Sequence, residues 1–337
     1  MKFEMWIFNV STITENSTVP HAENYVLLAW LTTILSVNFF GTIFNVLLLF
    51  VMAFHPPLRR SSSYALIVHC ILIDLYITAV SVPMSTVPTF LGPTYQLPEY
   101  YCLFKVMFVY ASYAASINAS CLLAIQRLIA AVSPKYTEIL SRKPALFFML
   151  LIPWCVAIFV DIIPAFGFGV RLAHVNSWVA GSCIYVSSSD RPYGLIVYAV
   201  VAYFLPTVVM TVSYVLVLVK TRRALRRKRS SRLLQRRLEI SRTLCLSCVW
   251  HCLTIYPGTI INNLSAEKYV ANVALQLSVR WFANSFSAIN PVFFLASSKL
   301  FQDGIKHVLG CRPGMKAQQE TLDQVLLKKG DLRSIGK

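Results

Sequence analysis

Apolar residues gather in seven long stretches, near 27 to 53, 63 to 88, 102 to 130, 145 to 168, 193 to 219, 240 to 263 and 271 to 296. A hydrocarbon core about 30 Å thick needs roughly 20 apolar residues of helix, so each stretch is long enough to cross a membrane once. None breaks into the short alternating segments of a membrane β-barrel. The pattern therefore predicts an all-α membrane protein, a seven-helix bundle. The third stretch carries Cys102 at one end and Arg127 at the other, about 37 Å apart along a helix. These two residues are expected at opposite membrane surfaces.

Composition agrees with the pattern. Of 337 residues, 56% are hydrophobic and 13% charged, and the mean hydropathy of +0.61 is too apolar for a soluble domain of this length. The net charge of +17 is distributed by topology. Arg59 and Arg60 follow the first stretch, Lys135, Arg142 and Lys143 the third, and ten Lys or Arg lie between Lys220 and Arg237 after the fifth. The alternate loops carry few, so the basic loops face the cytoplasm and the N-terminus faces outside. Membrane orientation and anionic lipid account for the basic loop without a nucleic-acid partner. Asn9 and Asn16 open glycosylation triplets in the outer tail. No basic start followed by an apolar core opens the chain, so the first span is expected to act as its own signal anchor. The organisation expected is an outer tail over 1–24, a bundle over 25–297, an amphipathic helix over 298–311 and a cytoplasmic tail over 312–337.

Of the nine cysteines, six lie inside spans, where a thiol behaves as a small apolar residue. Cys245, Cys248, His251 and Cys252 have the residue types of a metal cluster but no second ligand pair elsewhere, and the apolar reading is preferred. Cys102 and Cys183 both fall on the outer side, where a disulfide would pin the fourth inter-span loop over the bundle. Only Asp74 and Asp161, of fourteen acidic residues, lie within spans. With Asn45, Ser116 and Asn290 they face the bundle interior as hydrogen-bonding groups or as an ion site. Prolines at 83, 153, 164, 206, 257 and 291 mark kinks, three of them in spans five to seven.

These residues resemble those of the rhodopsin-like (class A) G-protein-coupled receptors, over about residues 25 to 311. The resemblance rests on Asn45, Asp74, Cys102 with Arg127, Pro134, Trp154, Pro206 with Tyr214, Pro257, the run Asn290-Pro291-Val-Phe-Phe294, and Phe301. It implies a plasma-membrane receptor, not an enzyme, that passes an outer signal to a heterotrimeric G protein. The residues it assigns to that coupling are Gln126, Arg127, Pro134, Tyr214, Arg237, Pro257, Asn290, Pro291 and Phe294. A sodium ion or water cluster is expected near Asp74, Ser116, Ser287 and Asn290. A receptor-like non-signalling subunit, or less readily a small-molecule transporter, is the alternative.

The departures from the family pattern also carry information. Gln126 replaces the acid that precedes the arginine, Arg237 replaces the acid at the base of span six, Ile255 a tryptophan and Phe294 a tyrosine. The inactive state is thus expected to be restrained by hydrogen bonds or more weakly. Val109 stands where amine receptors carry an aspartate and Asn284 where opsins carry their retinal lysine, which argues against both ligand types. Tyr113, Asp161, Tyr203, Ile255, Asn262, Arg280 and Trp281 complete the candidate pocket, with Arg280 suited to a small or anionic ligand. Cys311 follows an amphipathic stretch and is a candidate for palmitoylation. Thr321 and Ser334 are the tail's phosphorylatable hydroxyls, too sparse for strong arrestin capture.

Overall fold

A computed structural model describes residues 24–59, 63–91, 98, 100–162, 170–175, 182–187, 194–227, 232–264 and 272–309, some by backbone alone. Seven long helices bundle together. They are α1 (Asn24–Phe54), α2 (Tyr64–Tyr76, continuing to Leu91), α3 (Tyr101–Lys105, continuing to Val132), α4 (Lys143–Ala157, continuing to Ile162), α5 (Gly194–Ala199, continuing to Arg227), α6 (Arg232–Leu264) and α7 (Val273–Ser297). A shorter α8 (Lys299–Val308) follows. Among the described residues five helices, α1 to α5, are long and apolar enough to cross a membrane. α7 is long enough but interleaves polar residues, and Gln276, Ser285, Ser287 and Asn290 are all buried, so its polar stripe faces the other helices.

The expected spans are recovered with shifted ends. α5 runs past 219 to Arg227 and α6 starts at Arg232 rather than 240; hydropathy reads only the part that needs lipid, whereas basic helix can continue into water. The fourth span's expected end at 168 lies outside the described residues, as do Asn9, Asn16 and Cys311. The loop between α4 and α5 holds an antiparallel hairpin, β1 (Val170–Val175) with β2 (Ser182–Ser187), in which His174 pairs with Cys183. Hydropathy windows scaled to membrane spans pass over so short a pair of strands.

Two buried layers hold the bundle together. The inner layer joins Leu48 and Met52 of α1, Ile67 of α2, Leu123 of α3, Tyr214 of α5, Leu244 of α6 and Phe294 of α7, with Phe301 of α8 completing it. The outer layer is built on small residues of α3, Ala111, Ala114, Ala115 and Ala119, against Ile34, Ile73 and Ile77. Alanines let α3 pass through the centre of the bundle with its neighbours close on every side. Phe39, Phe40, Phe50 and Phe54 of α1 and Phe147, Phe148 and Phe159 of α4 are exposed, a belt suited to lipid rather than water.

Two glycines mark close approaches of α7 and α8 to α1. A Cβ on Gly41 would lie 2.5 Å from the Cα of Ala288 in α7, and one on Gly304 would lie 2.5 Å from Val51 Cγ1. Both distances are below any van der Waals contact, so α7 and α8 dock against α1 only where the side chain is missing.

Four helices widen by a π-helical turn in the outer half of the bundle: Ile77–Ser81 in α2, Val106–Tyr110 in α3, Ile158–Ile162 in α4 and Val200–Phe204 in α5. Backbone bonds from residue i+5 close three of them, Val82 to Ile77, Ala111 to Val106 and Leu205 to Val200. In α3 the Phe108 carbonyl within the turn accepts the Tyr76 hydroxyl at 3.1 Å and the Ser81 hydroxyl at 3.4 Å, which fastens α2 to α3 at this level. π turns add a residue to the helix and commonly sit at functional sites.

Candidate functional site: two polar layers inside the bundle

The inner layer centres on Asn290. Its Nδ2 donates to Asp74 Oδ2 at 2.9 Å, and its Oδ1 accepts Ser247 Oγ at 2.7 Å. Asn45 Nδ2 donates to the Ser287 carbonyl at 3.3 Å, so α1, α2, α6 and α7 meet in one network. Ser116 and Ser287 flank the carboxylate, yet Asp74 Oδ1 and Ser287 Oγ are buried without a hydrogen bond. Two such oxygens side by side fit a small cation or a water.

At the Arg127 end of α3, Gln126 and Arg127 are both buried, and the charge of Arg127 reaches the Tyr214 phenol on α5. α6 is tied to α7 a second time by Thr243 and Ser297, whose hydroxyls lie 2.6 Å apart. Phe294 stacks edge-on against Phe301 of α8 with ring centres 5.1 Å apart. Pro257 and Pro291 lie inside α6 and α7, and Pro134 opens a short helix, Pro134–Leu140. The Arg237 side chain is outside the described set. A cavity of about 20 Å³ lies between α3, α5, α6 and α7, lined by Ser116, Ser120, Tyr214, Ser247, His251 and Phe286 among others, enough for about one water. His251 faces it with Nε2 unbonded and its ring edge-on to Phe286 at 4.7 Å.

The outer layer gathers most of the pocket residues expected from sequence. Tyr113 donates to Asn284 Oδ1 at 3.1 Å, linking α3 to α7. Asp161, fully buried, accepts the Tyr198 hydroxyl at 2.7 Å, and Tyr198 in turn lies 3.4 Å from the Tyr203 hydroxyl. Tyr256 donates to the Tyr203 carbonyl at 3.3 Å. Val109 is buried and Trp281 packs against the outer apolar layer, so both shape the floor; Ile255 is half-buried on α6. The Asn262 side chain is not among those described. Arg280 Nη1 donates to Thr89 Oγ1 of α2 at 3.3 Å.

Sequence reasoning missed several members. Lys105 on α3 is 5% exposed, with Nζ 5.6 Å from the centre of the Tyr110 ring. A cation one turn inside a span end ordinarily snorkels to the interface, so sequence alone gives no signal that this one is buried. Ser247 and His251, like Ser116 and Ser120, are four apart on a helix, the spacing of one face, and that signal could have found the cavity. Among the described residues no group of three or more His, Cys, Asp or Glu could hold a metal. Cys70, Cys121, Cys155, Cys245, Cys248 and Cys252 are free, whereas Cys102 is disulfide-bonded. The Cys183 backbone lies in β2.

Comparison with known proteins gives these layers a context. The profile of the 7 transmembrane receptor (rhodopsin family) matches residues 44–294. The dog (Canis lupus familiaris) adenosine receptor A3 is 24% identical over 77% of this chain and 83% of its own length. The mouse (Mus musculus) substance-K receptor is 22% identical over 88% of this chain and 79% of its own. The crystal structure of squid rhodopsin superposes with a TM-score of 0.68 at 16% identity, covering 86% of this chain and 87% of that one, a likeness of fold alone. The chain belongs to the rhodopsin family of seven-transmembrane receptors.

Proposed function

We propose that this receptor sits in the plasma membrane with its N-terminus outside, binds a small anionic ligand in the outer layer, and activates a heterotrimeric G protein. The observation that carries the coupling is the pair of hydrogen bonds from α6 to α7, Ser247 to Asn290 and Thr243 to Ser297. They hold the base of α6 in where the family's restraining carboxylates are replaced by Gln126 and Arg237. A ligand that favours an outward α6 need only outweigh bonds worth about 0.5–1.5 kcal/mol each. Movement of α6 away from α3 would open the inner face at Arg127 to the G protein. Arg280, in the outer half of α7, supplies the cationic contact for the ligand, and a sodium ion beside Asp74 would stabilise the closed arrangement.

The family's typical disulfide, here Cys102 with Cys183, would clamp the hairpin loop over the ligand. Guanine-nucleotide exchange on purified G protein, with receptor in lipid nanodiscs, tests the reading. Receptor-dependent exchange is expected across at least one G-protein class, and none across all classes would favour a non-signalling subunit.

A further inference from the structure

We infer that the inner layer holds a site for one bound water between α3 and α6, anchored by His251 and continuous with the chain from Asp74 through Asn290 to Ser247. The inference is independent of the proposed ligand and of coupling to a G protein.

His251 is 3% exposed on α6, and its Nε2 is buried without a hydrogen bond. A buried ring nitrogen without a partner is costly in either tautomer. Phe286 covers one side of the ring, edge-on at 4.7 Å, and His251 also lines the cavity between the helices. The cavity volume of about 20 Å³ exceeds the roughly 10–15 Å³ that a water requires. α3 contributes Ser116 and Ser120 to the lining, and α6 adds Ser247 one turn before His251. Ser247 spends its hydrogen on Asn290 Oδ1 at 2.7 Å, which leaves its oxygen to accept. A buried water makes about two to four hydrogen bonds, and the imidazole with three serine hydroxyls can supply them. No acid is among the described residues that line the cavity, which favours a neutral occupant over a cation. Water also suits both tautomers, because it can donate to Nε2 or accept from it.

Ser116 flanks Asp74 as well, so the bound water carries the inner network from α2 past α3 to α6. α6 is tied to α7 through Ser247, and Cys248 Sγ lies 3.5 Å from Thr211 Oγ1 of α5; the water ties α6 to α3. Outward movement of α6 must break this bridge or carry the water along.

Met210 of α5 provides the readout. It lines the same cavity and is 3% exposed, whereas Met52 of α1 is 1% exposed and lies outside the lining. An X-ray pulse splits water into hydroxyl radicals, which oxidise a methionine to its sulfoxide close to where they form. Mass spectrometry of the full-length receptor in lipid nanodiscs then compares the two methionines. We expect Met210 to be oxidised about tenfold faster than Met52. His251→Phe replaces the imidazole by a ring without nitrogen and should bring Met210 down to the Met52 rate. His251→Gln keeps a polar atom near the position of Nε2 and should restore most of the oxidation, which separates loss of the anchor from loss of fold. The inference is overturned if Met210 in the wild type is oxidised no faster than Met52, which would show a dry cavity. It is equally overturned if His251→Phe leaves the Met210 rate unchanged, which would show water held without His251.

Discussion

Asn290 joins three helices, because a single amide can donate to Asp74 and accept from Ser247 at once. Ser247→Ala removes the second bond and leaves Asn290 Oδ1 one partner short. Losing about 1 kcal/mol from the closed state shifts its balance with the open state about fivefold, so ligand-free nucleotide exchange should rise by about that factor. Thr243→Val should act in the same direction through Ser297. Gln126→Asp restores a carboxylate beside Arg127 and should lower ligand-free exchange; an unchanged rate would show that the hydroxyl ties already carry the restraint. Asp74 makes a separate claim. If sodium shares its unbonded oxygen, raising sodium should weaken agonist binding, and Asp74→Asn should erase the dependence. Agonist affinity that ignores sodium in the wild type would assign that oxygen to water.

At the scale of elements, α8 is the most testable join. Phe301 is fully buried and meets Phe294, Gly304 lets the helix lie against Val51, and Gln302 Nε2 donates to the Leu295 carbonyl at 2.8 Å. Truncating a buried phenylalanine costs about 3–5 kcal/mol, so Phe301→Ala should lower the unfolding temperature of the purified receptor markedly. An exposed alanine substitution such as Lys306→Ala should leave it unchanged. Helical periodicity puts Leu300, Phe301, Ile305, Val308 and Leu309 on one side; the first four pack against the inner apolar layer, whereas Leu309 is 62% exposed at the helix end. Leu309 is the C-cap, its N–H still donating to the Ile305 carbonyl at 2.8 Å, so the packed side ends one residue before the hydrogen bonding does.

The difference between what was and was not legible has the same origin elsewhere. Seven spans could be read because lipid demands long apolar runs, and Asn45, Asp74 and Asn290 could be read because polar groups inside such runs are costly. The π turns left no mark of their own, since one extra residue does not interrupt the long apolar run that marks a span. Ser247 and Thr243 were overlooked because hydroxyls are cheap to bury and can satisfy themselves on the preceding turn, as Thr243 does on the Glu239 carbonyl. Only packing against α7 reveals the bonds they make to it.

At the scale of the whole molecule, the inner and outer layers have different jobs and different tolerances. With Thr321 and Ser334 as the hydroxyls beyond Arg312, truncation after Arg312 should leave arrestin recruitment nearly intact. A large loss would place the phosphate-bearing signal in the tail after all. The four π turns at one level offer a last consequence. Each resembles a single-residue insertion, and removing one residue there would turn everything outward of it by about 100° while advancing it about 1.5 Å. A descendant of this gene could thus exchange the side chains it shows to the outside world by a one-codon deletion, with the half that addresses the cell interior inherited unchanged.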